Sequence, residues 1–205
     1  MWIEVENLTK RFLTRHGMTR TLSVTAVESV SFHIERGETL GLVGESGCGK
    51  STVGRCLLRL VTPDTGRMYF DGKEIQNLRE RDLKHIRHRM QIVFQNPLAS
   101  LNPAYTVAGT LRDALRQRKD LNNRQRHERA QMLLRQVGLD HRYLRRRPAE
   151  MSGGELQRVS IARALAPSPD FIFLDEPTSA LDPSVRGQIS NLLAGLQERQ
   201  GLTYL

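Results

Sequence analysis

Two cysteines in 205 residues, Cys48 and Cys56, cannot build a disulfide framework. Long apolar runs are missing as well. The strongest, Phe171-Ile172-Phe173-Leu174, falls far short of the ~18 residues a membrane span needs. Aromatic residues make up 5% of the chain, too few to interleave with its many cations as a base-stacking surface would require. The start, Met1-Trp2-Ile3-Glu4-Val5-Glu6, has neither a basic n-region nor an apolar h-region, so no signal peptide is expected. These absences exclude a secreted disulfide scaffold and an integral membrane protein. A hydrophobic content of 39% excludes a disordered tail. The expectation is a soluble, cytoplasmic chain with one core, or one core and a small subdomain.

What is abundant is positive charge, and it is unevenly placed. Of the formal net +9, the stretch from Arg112 to Arg147 carries +8. A nucleic-acid footprint, a solvated helical face, and a surface facing acidic headgroups or a partner protein all fit such a run. The scarcity of aromatics favours the solvated face.

Hydrophobic periodicity organises the rest. Trp2 to Leu8, Val30 to Ile34 and Thr39 to Val43 read as strands, with a polar loop from Leu13 to Thr25 between the first two. Ser51 to Leu60 reads as a helix. Arg67 to Phe70 followed by Asp71-Gly72 reads as one arm of a hairpin, and Met90 to Phe94 as a buried strand. Val107, Leu111 and Leu115, then Ala130, Leu133, Leu134 and Val137, keep a helical period, with Gly138 as a C-cap. Glu155 to Ala166 and Ser184 to Arg199 are further helices. Phe171 to Leu174 is a central parallel strand, and a last strand starts at Leu202. Alternating strands and helices imply an α/β sheet, interrupted by a helical insertion from about 95 to 150.

Gly44-Glu45-Ser46-Gly47-Cys48-Gly49-Lys50-Ser51 fits G-x-x-x-x-G-K-[ST], between an expected strand and an expected helix. Glycines let successive backbone N–H groups turn inward and cradle phosphate oxygens. The helix that follows, with Thr52 in its first turn, aims its positive end at the anion. Lys50 would reach the β- and γ-phosphates, and the Ser51 hydroxyl would take a Mg²⁺ position. Cys48 fills a variable position, where an inert small residue is a better reading than a redox switch. Downstream, Asp175 and Glu176 follow the apolar run 171–174. Asp175 would hold Mg²⁺, and Glu176 would polarise the attacking water. Ser152-Gly153-Gly154-Glu155 opens a helix whose N-terminus favours an anion, and Ser152 also suits a plain N-cap.

Here a resemblance becomes specific. Met151-Ser152-Gly153-Gly154-Glu155 resembles the L-S-G-G-Q signature of ATP-binding cassette (ABC) proteins, and Ser179-Ala180-Leu181-Asp182 resembles their D-loop. Gln95 falls where that family has its Q-loop glutamine. The resemblance spans residues 2 to 205. It implies a RecA-like P-loop NTPase core at about 1–94 and 155–205, with an N-terminal antiparallel β subdomain and a helical subdomain inserted at about 95–154. It further implies that ATP and Mg²⁺ are the cofactors, and that two cassettes face each other head to tail. Ser152, Gly153, Gly154 and Asp182 would then act at the partner's nucleotide. Gln95 would sense the γ-phosphate and the metal. An aromatic near the N-terminus would stack on adenine: Phe12 by position, with Trp2 and Phe32 competing as core residues.

The run Phe94-Gln95-Asn96-Pro97-Leu98-Ala99-Ser100-Leu101-Asn102-Pro103 is similar to that of ATPases of dipeptide, oligopeptide and nickel importers, although Ala104 replaces the basic residue common in that group. Such an ATPase would sit on the cytoplasmic face of the membrane, bound to permease subunits, and would serve an extracytoplasmic binding protein indirectly. Glu155 replaces the signature Gln and would bring a negative charge towards the partner's phosphates. The family's switch histidine lies beyond the strand that starts at Leu202, whereas histidines 16, 33, 85, 88, 127 and 141 all precede Asp175. A truncated cassette is therefore expected. The alternatives are a nucleic-acid-associated ATPase of the same family and a nucleotide-binding module without turnover. Residues 95 to 150 are too short, and lack the heptads, for the long coiled coil of the former.

Overall fold

The structure, a computed structural model, describes residues 1–16 and 20–205, with side chains described outside 14–21. In chain order the elements are β1 (Ile3–His16), β2 (Arg20–Ile34), α1 (Lys50–Leu57), β3 (Thr65–Phe70), β4 (Lys73–Glu74), α2 (Glu80–Arg89) and β5 (Met90–Val93). They continue with α3 (Pro97–Ser100), α4 (Val107–Leu115), α5 (Asn123–Gln136) and two 3-10 turns, His141–Arg145 and Pro148–Glu150. The chain finishes with α6 (Gly153–Leu165), β6 (Phe171–Leu174), α7 (Pro183–Gln200) and β7 (Thr203–Tyr204). It divides into two units: Met1–Arg87 with Thr203–Leu205, and His88–Leu202.

The first unit is built on an antiparallel sheet in the order β2-β1-β3-β4. Ile3 and Val5 point inward and are buried, as period-two alternation requires. Leu8 is buried too, three residues further on, because the β1–β2 register shifts between Val5 and Leu8. That irregularity carries Asn7 and Ser29 at positive φ, 49° and 50°. Side-chain bonds hold it: the Asn7 N–H donates to Ser31 Oγ (2.8 Å) and the Ser29 N–H to Thr9 Oγ1 (3.0 Å). The bulge thus returns the apolar face to the core. The expected hairpin at Asp71-Gly72 is present, pairing Tyr69 with Glu74 and Phe70 with Lys73.

Two sequence expectations fail in this unit. Leu13 to Thr25 is not a loop. The β1–β2 ladder continues through Arg11–Thr25, Phe12–Val24 and Leu13–Ser23 as a two-stranded ribbon, and residues 17–19 lie outside the described residues. Its polar content hid a run of β-formers whose backbone groups satisfy one another without a core beneath them; Leu13, Leu22 and Val24 are exposed. Thr39 to Val43 forms only an isolated bridge, Thr39 to Tyr204, with the Leu40 N–H donating to the Tyr204 carbonyl (3.0 Å). Ladder bonds go no further among the described residues, and Val43 is 98% exposed. Helix α2 carried no expectation. Its sequence, ERDLKHIRHR, has two buried positions, Leu83 and Ile86, too few for a periodic signal.

The second unit pairs β5 and β6 in parallel, from Met90–Phe171 to Val93–Leu174. Two of its helices, α4 and α5, start at side-chain caps. Thr106 Oγ1 accepts from the Gly109 N–H, and Asn122 forms a capping box with Gln125. The expected periodic residues, Leu111, Leu115, Leu133, Leu134 and Val137, are fully buried. Gly138 ends α5 in the left-handed region at φ 72°.

Candidate functional site

The phosphate loop lies in the first unit. Gly49, at φ 99°, is the N-cap of α1. A Cβ there would sit 2.0 Å from the Ala26 carbonyl oxygen, so backbone conformation and a close approach both demand glycine. Gly47 is also left-handed, at φ 82°. Lys50 folds back over the loop, and its Nζ donates to the carbonyls of Gly44 (2.9 Å) and Glu45 (2.8 Å). These contacts park the ammonium against the loop that it is expected to serve. Helix α1 has no acid in its first turn, so nothing there neutralises its positive end; Ser51 and Thr52 occupy that turn. Cys48 is exposed with its Sγ 3.9 Å from Lys50 Nζ, whereas Cys56 is buried and desolvation pushes its thiol up to about 11.

Of the three aromatic candidates, Trp2 is core: it is 7% exposed and its ring lies 4.9 Å from that of Phe70. Phe32 is half-buried. Phe12 stands open at 41%, with Lys10 Nζ 5.4 Å from its ring centre.

The carboxylates lie in the second unit, and strand register explains their neighbour. Val93 pairs with Leu174, and the Asp175 N–H extends the ladder to the Val93 carbonyl (2.9 Å). Two residues further along each strand come Gln95 and Glu176. Gln95 Nε2 donates to Glu176 Oε2 at 3.0 Å. Asp175 is 5% exposed, and Glu176 is exposed with φ 47°. The left-handed kink turns Glu176 out of the strand direction that Asp175 continues. The Glu176 carbonyl then takes the Ser179 N–H and hydroxyl, which starts the D-loop turn.

The signature opens α6 as a complete capping box. Ser152 Oγ accepts from the Glu155 N–H, and Glu155 Oε2 accepts from the Ser152 N–H at 2.8 Å. The other carboxylate oxygen takes the Tyr143 hydroxyl at 2.5 Å. The Tyr143 bond first, then the Ser152 N–H, holds Glu155 below the usual carboxylate range. The glutamate in the glutamine position is thus turned back onto its own helix end. Gly154 lies so close to α7 that a Cβ would meet Val185 Cγ1 at 2.7 Å. Asp182 is the N-cap of α7, exposed, with no cap bond from its side chain.

Tyr143 and Arg186 were invisible in the sequence reading. Arg186 donates from Nε to the Leu181 carbonyl (2.7 Å) and ties down the D-loop. Neither residue belongs to a motif or a periodic face.

A glycine-cradled loop before a helix, a capped signature helix, and a strand ending in two carboxylates, in this order, define an ATP-binding cassette. The family described as ABC transporter matches residues 27–179, and the chain belongs to it. It is 45% identical over 206 residues to the oligopeptide transport ATP-binding protein AppF of Bacillus subtilis, covering 99% of this chain and 63% of that protein. It is 47% identical to a probable peptide ABC transporter ATP-binding protein of Sinorhizobium fredii, covering 99% of this chain and 58% of that one. The chain thus spans about three-fifths of the length of these relatives. Its fold is that of solved cassettes. It matches a dimeric cassette, MJ0796, bound to ADP and Pi, with a TM-score of 0.86 at 32% identity, covering 98% of this chain and 85% of that one. It also matches cbiO1 of Clostridium perfringens, part of a cbiONQ transporter complex, with a TM-score of 0.81 at 28% identity, covering 99% and 76%.

Proposed function

We propose that this chain binds MgATP and supplies the ATP-hydrolysing part of an importer for peptides. The carrying observation is the phosphate loop, with Gly47 and Gly49 at the positive φ that a cradle of backbone N–H groups uses, ahead of an α1 first turn free of acids. The names of the relatives, peptide and oligopeptide transport proteins, support the substrate class.

Lys50 exchanges its two carbonyl partners for oxygens of the β- and γ-phosphates, a stronger charge-assisted contact. Mg²⁺ takes one or two protein oxygens besides phosphate and water; Ser51 and Asp175 each carry an oxygen of the kind that would hold it. When bound, the ion neutralises charge that builds on the phosphates. Glu176 accepts a proton from the attacking water, and Gln95, already bonded to Glu176, senses whether that carboxylate is engaged. Phe12 offers adenine an exposed ring face. Ser152, Gly153, Gly154 and Asp182 act across a head-to-tail dimer, on the nucleotide held by the other cassette. No described helix is long and apolar enough to cross a membrane. The chain is proposed to meet the membrane through permease subunits, at its cytoplasmic face, and to serve an extracytoplasmic binding protein through them.

The test is ATP turnover by the assembled transporter in vesicles, with and without a peptide-loaded binding protein. Stimulation by the peptide-loaded form, together with peptide accumulation, is expected. Turnover indifferent to every peptide would refute the substrate class, and stimulation by DNA would refute the transport reading.

A further inference from the structure

Two groups stand out among the cations of 112–147. One is ion-paired: Arg116 with Asp113 at the end of α4, Arg118 with Asp120 in the connection to α5, and Arg124 with Glu128 on α5. That is the solvated face expected from the sequence. The other group surrounds a groove. Two cavities in the second unit, of about 330 Å³ and 520 Å³, share Ala108 and His127 as lining residues and so adjoin. Their floor is small or apolar, with Ala108, Ala130 and Leu144. Their walls are cationic: Arg112 from α4, Arg126 from α5, and Arg142 and Arg145 from the 3-10 turn that follows. Two imidazoles, His127 and His141, complete the lining, which contains no Asp or Glu.

Counter-charge around this groove is thin. Asp140 takes both Arg142 (2.9 Å) and His141 (3.3 Å), and Asp120 acts on Arg126 at longer range. Arg126 spends one N–H on the Arg118 carbonyl at 3.3 Å, and its buried Nε has no partner among the described residues. Arg112 and Arg145 have no carboxylate within ion-pair distance among the described residues. Four guanidiniums from three elements therefore face one recess with a single ion-paired acid at its edge. A recess lined by one sign of charge focuses its field on a mobile counter-ion. A lone carboxylate would engage one fork. Several forks around a cavity of this size match a ligand with several charged oxygens in different directions, and phosphate groups supply them bidentately.

We propose that this groove binds a phosphate-bearing anion through Arg112, Arg126, Arg142 and Arg145, none of which is assigned to nucleotide binding. A ligand there would bridge α4, α5 and the 3-10 turn, and so stiffen the segment between Gln95 and Ser152. The same chemistry is offered by a soluble polyphosphate and by the headgroup of an anionic lipid.

The test uses the whole chain carrying Lys50→Ala, so that the phosphate loop does not dominate. Tripolyphosphate is titrated by calorimetry at low salt. Co-sedimentation is measured with phosphatidylglycerol vesicles and with phosphatidylcholine vesicles. Arg112→Gln with Arg145→Gln should weaken binding at least ~10-fold, as expected for the loss of charge-assisted contacts. Arg124→Gln with Arg135→Gln removes the same charge from outside the groove, and should change affinity by less than about 2-fold. Both pairs are exposed, and melting curves verify folding; Arg112→Gln alone is the fallback. Groove-dependent binding of tripolyphosphate assigns a soluble ligand, and groove-dependent binding of anionic vesicles alone assigns a headgroup. Binding of neither probe, or equal loss in the two double variants, overturns the proposal.

Discussion

Gly49→Ala isolates what the phosphate loop demands of its backbone. Two costs add at this position. An L-residue at φ 99° is strained by about 1–2 kcal/mol. The new methyl would also lie 2.0 Å from the Ala26 carbonyl oxygen, a backbone atom in β2 that cannot rotate away. Relieving such an overlap by backbone shifts costs about 1–3 kcal/mol. The sum is about 2–5 kcal/mol, against a whole-domain stability of ~5–15 kcal/mol. Gly47→Ala is the internal control. It has a similar φ, 82°, in the same loop, but nothing lies within 4 Å of its added Cβ, so it bears only the backbone strain. Urea unfolding of the wild type and both variants measures the difference. Gly49→Ala should be less stable than Gly47→Ala by about 1–3 kcal/mol, or roughly 2–12 °C in Tm for a chain of this size. It should also lose MgATP affinity, because the shift that relieves the clash moves the N–H groups facing phosphate. Equal destabilisation would refute the reasoning: the approach of β2 to the loop would not be a constraint, and Gly49 would be needed only for its dihedral angles.

Lys50→Ala should weaken MgATP binding about 10- to 100-fold, the loss of a charge-assisted contact of ~1.5–3 kcal/mol; titration with a fluorescent ATP analogue reads it. Glu176→Gln should bind ATP as the wild type does, yet turn it over ~10²–10⁴-fold more slowly, because the amide cannot accept the proton of the attacking water; single-turnover kinetics with Gln95 intact measure this. Glu155→Gln tests the signature's departure. Because the Tyr143 and Ser152 bonds lower the folded pKa of Glu155, its stabilising effect is complete above the unfolded value near 4.5 and fades as pH falls through the folded value. The melting gap between wild type and Glu155→Gln should therefore be open at pH 7 and narrow as pH falls from 4.5 through the lowered folded value; a gap independent of pH would remove the carboxylate from the account.

Periodicity revealed the elements that bury one face. Val107, Leu111 and Leu115, and the run Phe171 to Leu174, are decided by their own side chains, and each has the expected type. It failed where the partner decides. Thr39 to Val43 has strand-like residues, yet ladder bonds reach only Leu40, and no local pattern says where a ladder will stop. Leu13 to Thr25 has loop-like polarity, yet β1 and β2 satisfy each other's backbone through it. Both misreadings concern strands, whose stability depends on contacts distant in sequence.

The site shows the same division at the scale of single residues. The places of Lys50, Ser51, Asp175 and Glu176 in their motifs were legible, and the roles proposed for them rest on residue chemistry. Their hydrogen-bond partners were not legible. Gln95 meets Glu176 because β5 and β6 are parallel and in register, so equal offsets past Val93 and Leu174 bring position 95 to position 176. That follows from geometry, but only once the register is known. The carboxylate proposed to take a proton from water thus already accepts one hydrogen bond, from the glutamine amide. Glu155 makes the complementary point. Its charge should count against a phosphate-facing signature, yet the capping box and Tyr143 consume both of its oxygens. The fold turns the carboxylate back onto its own helix end, where it takes the Ser152 N–H and offsets part of the positive end of α6.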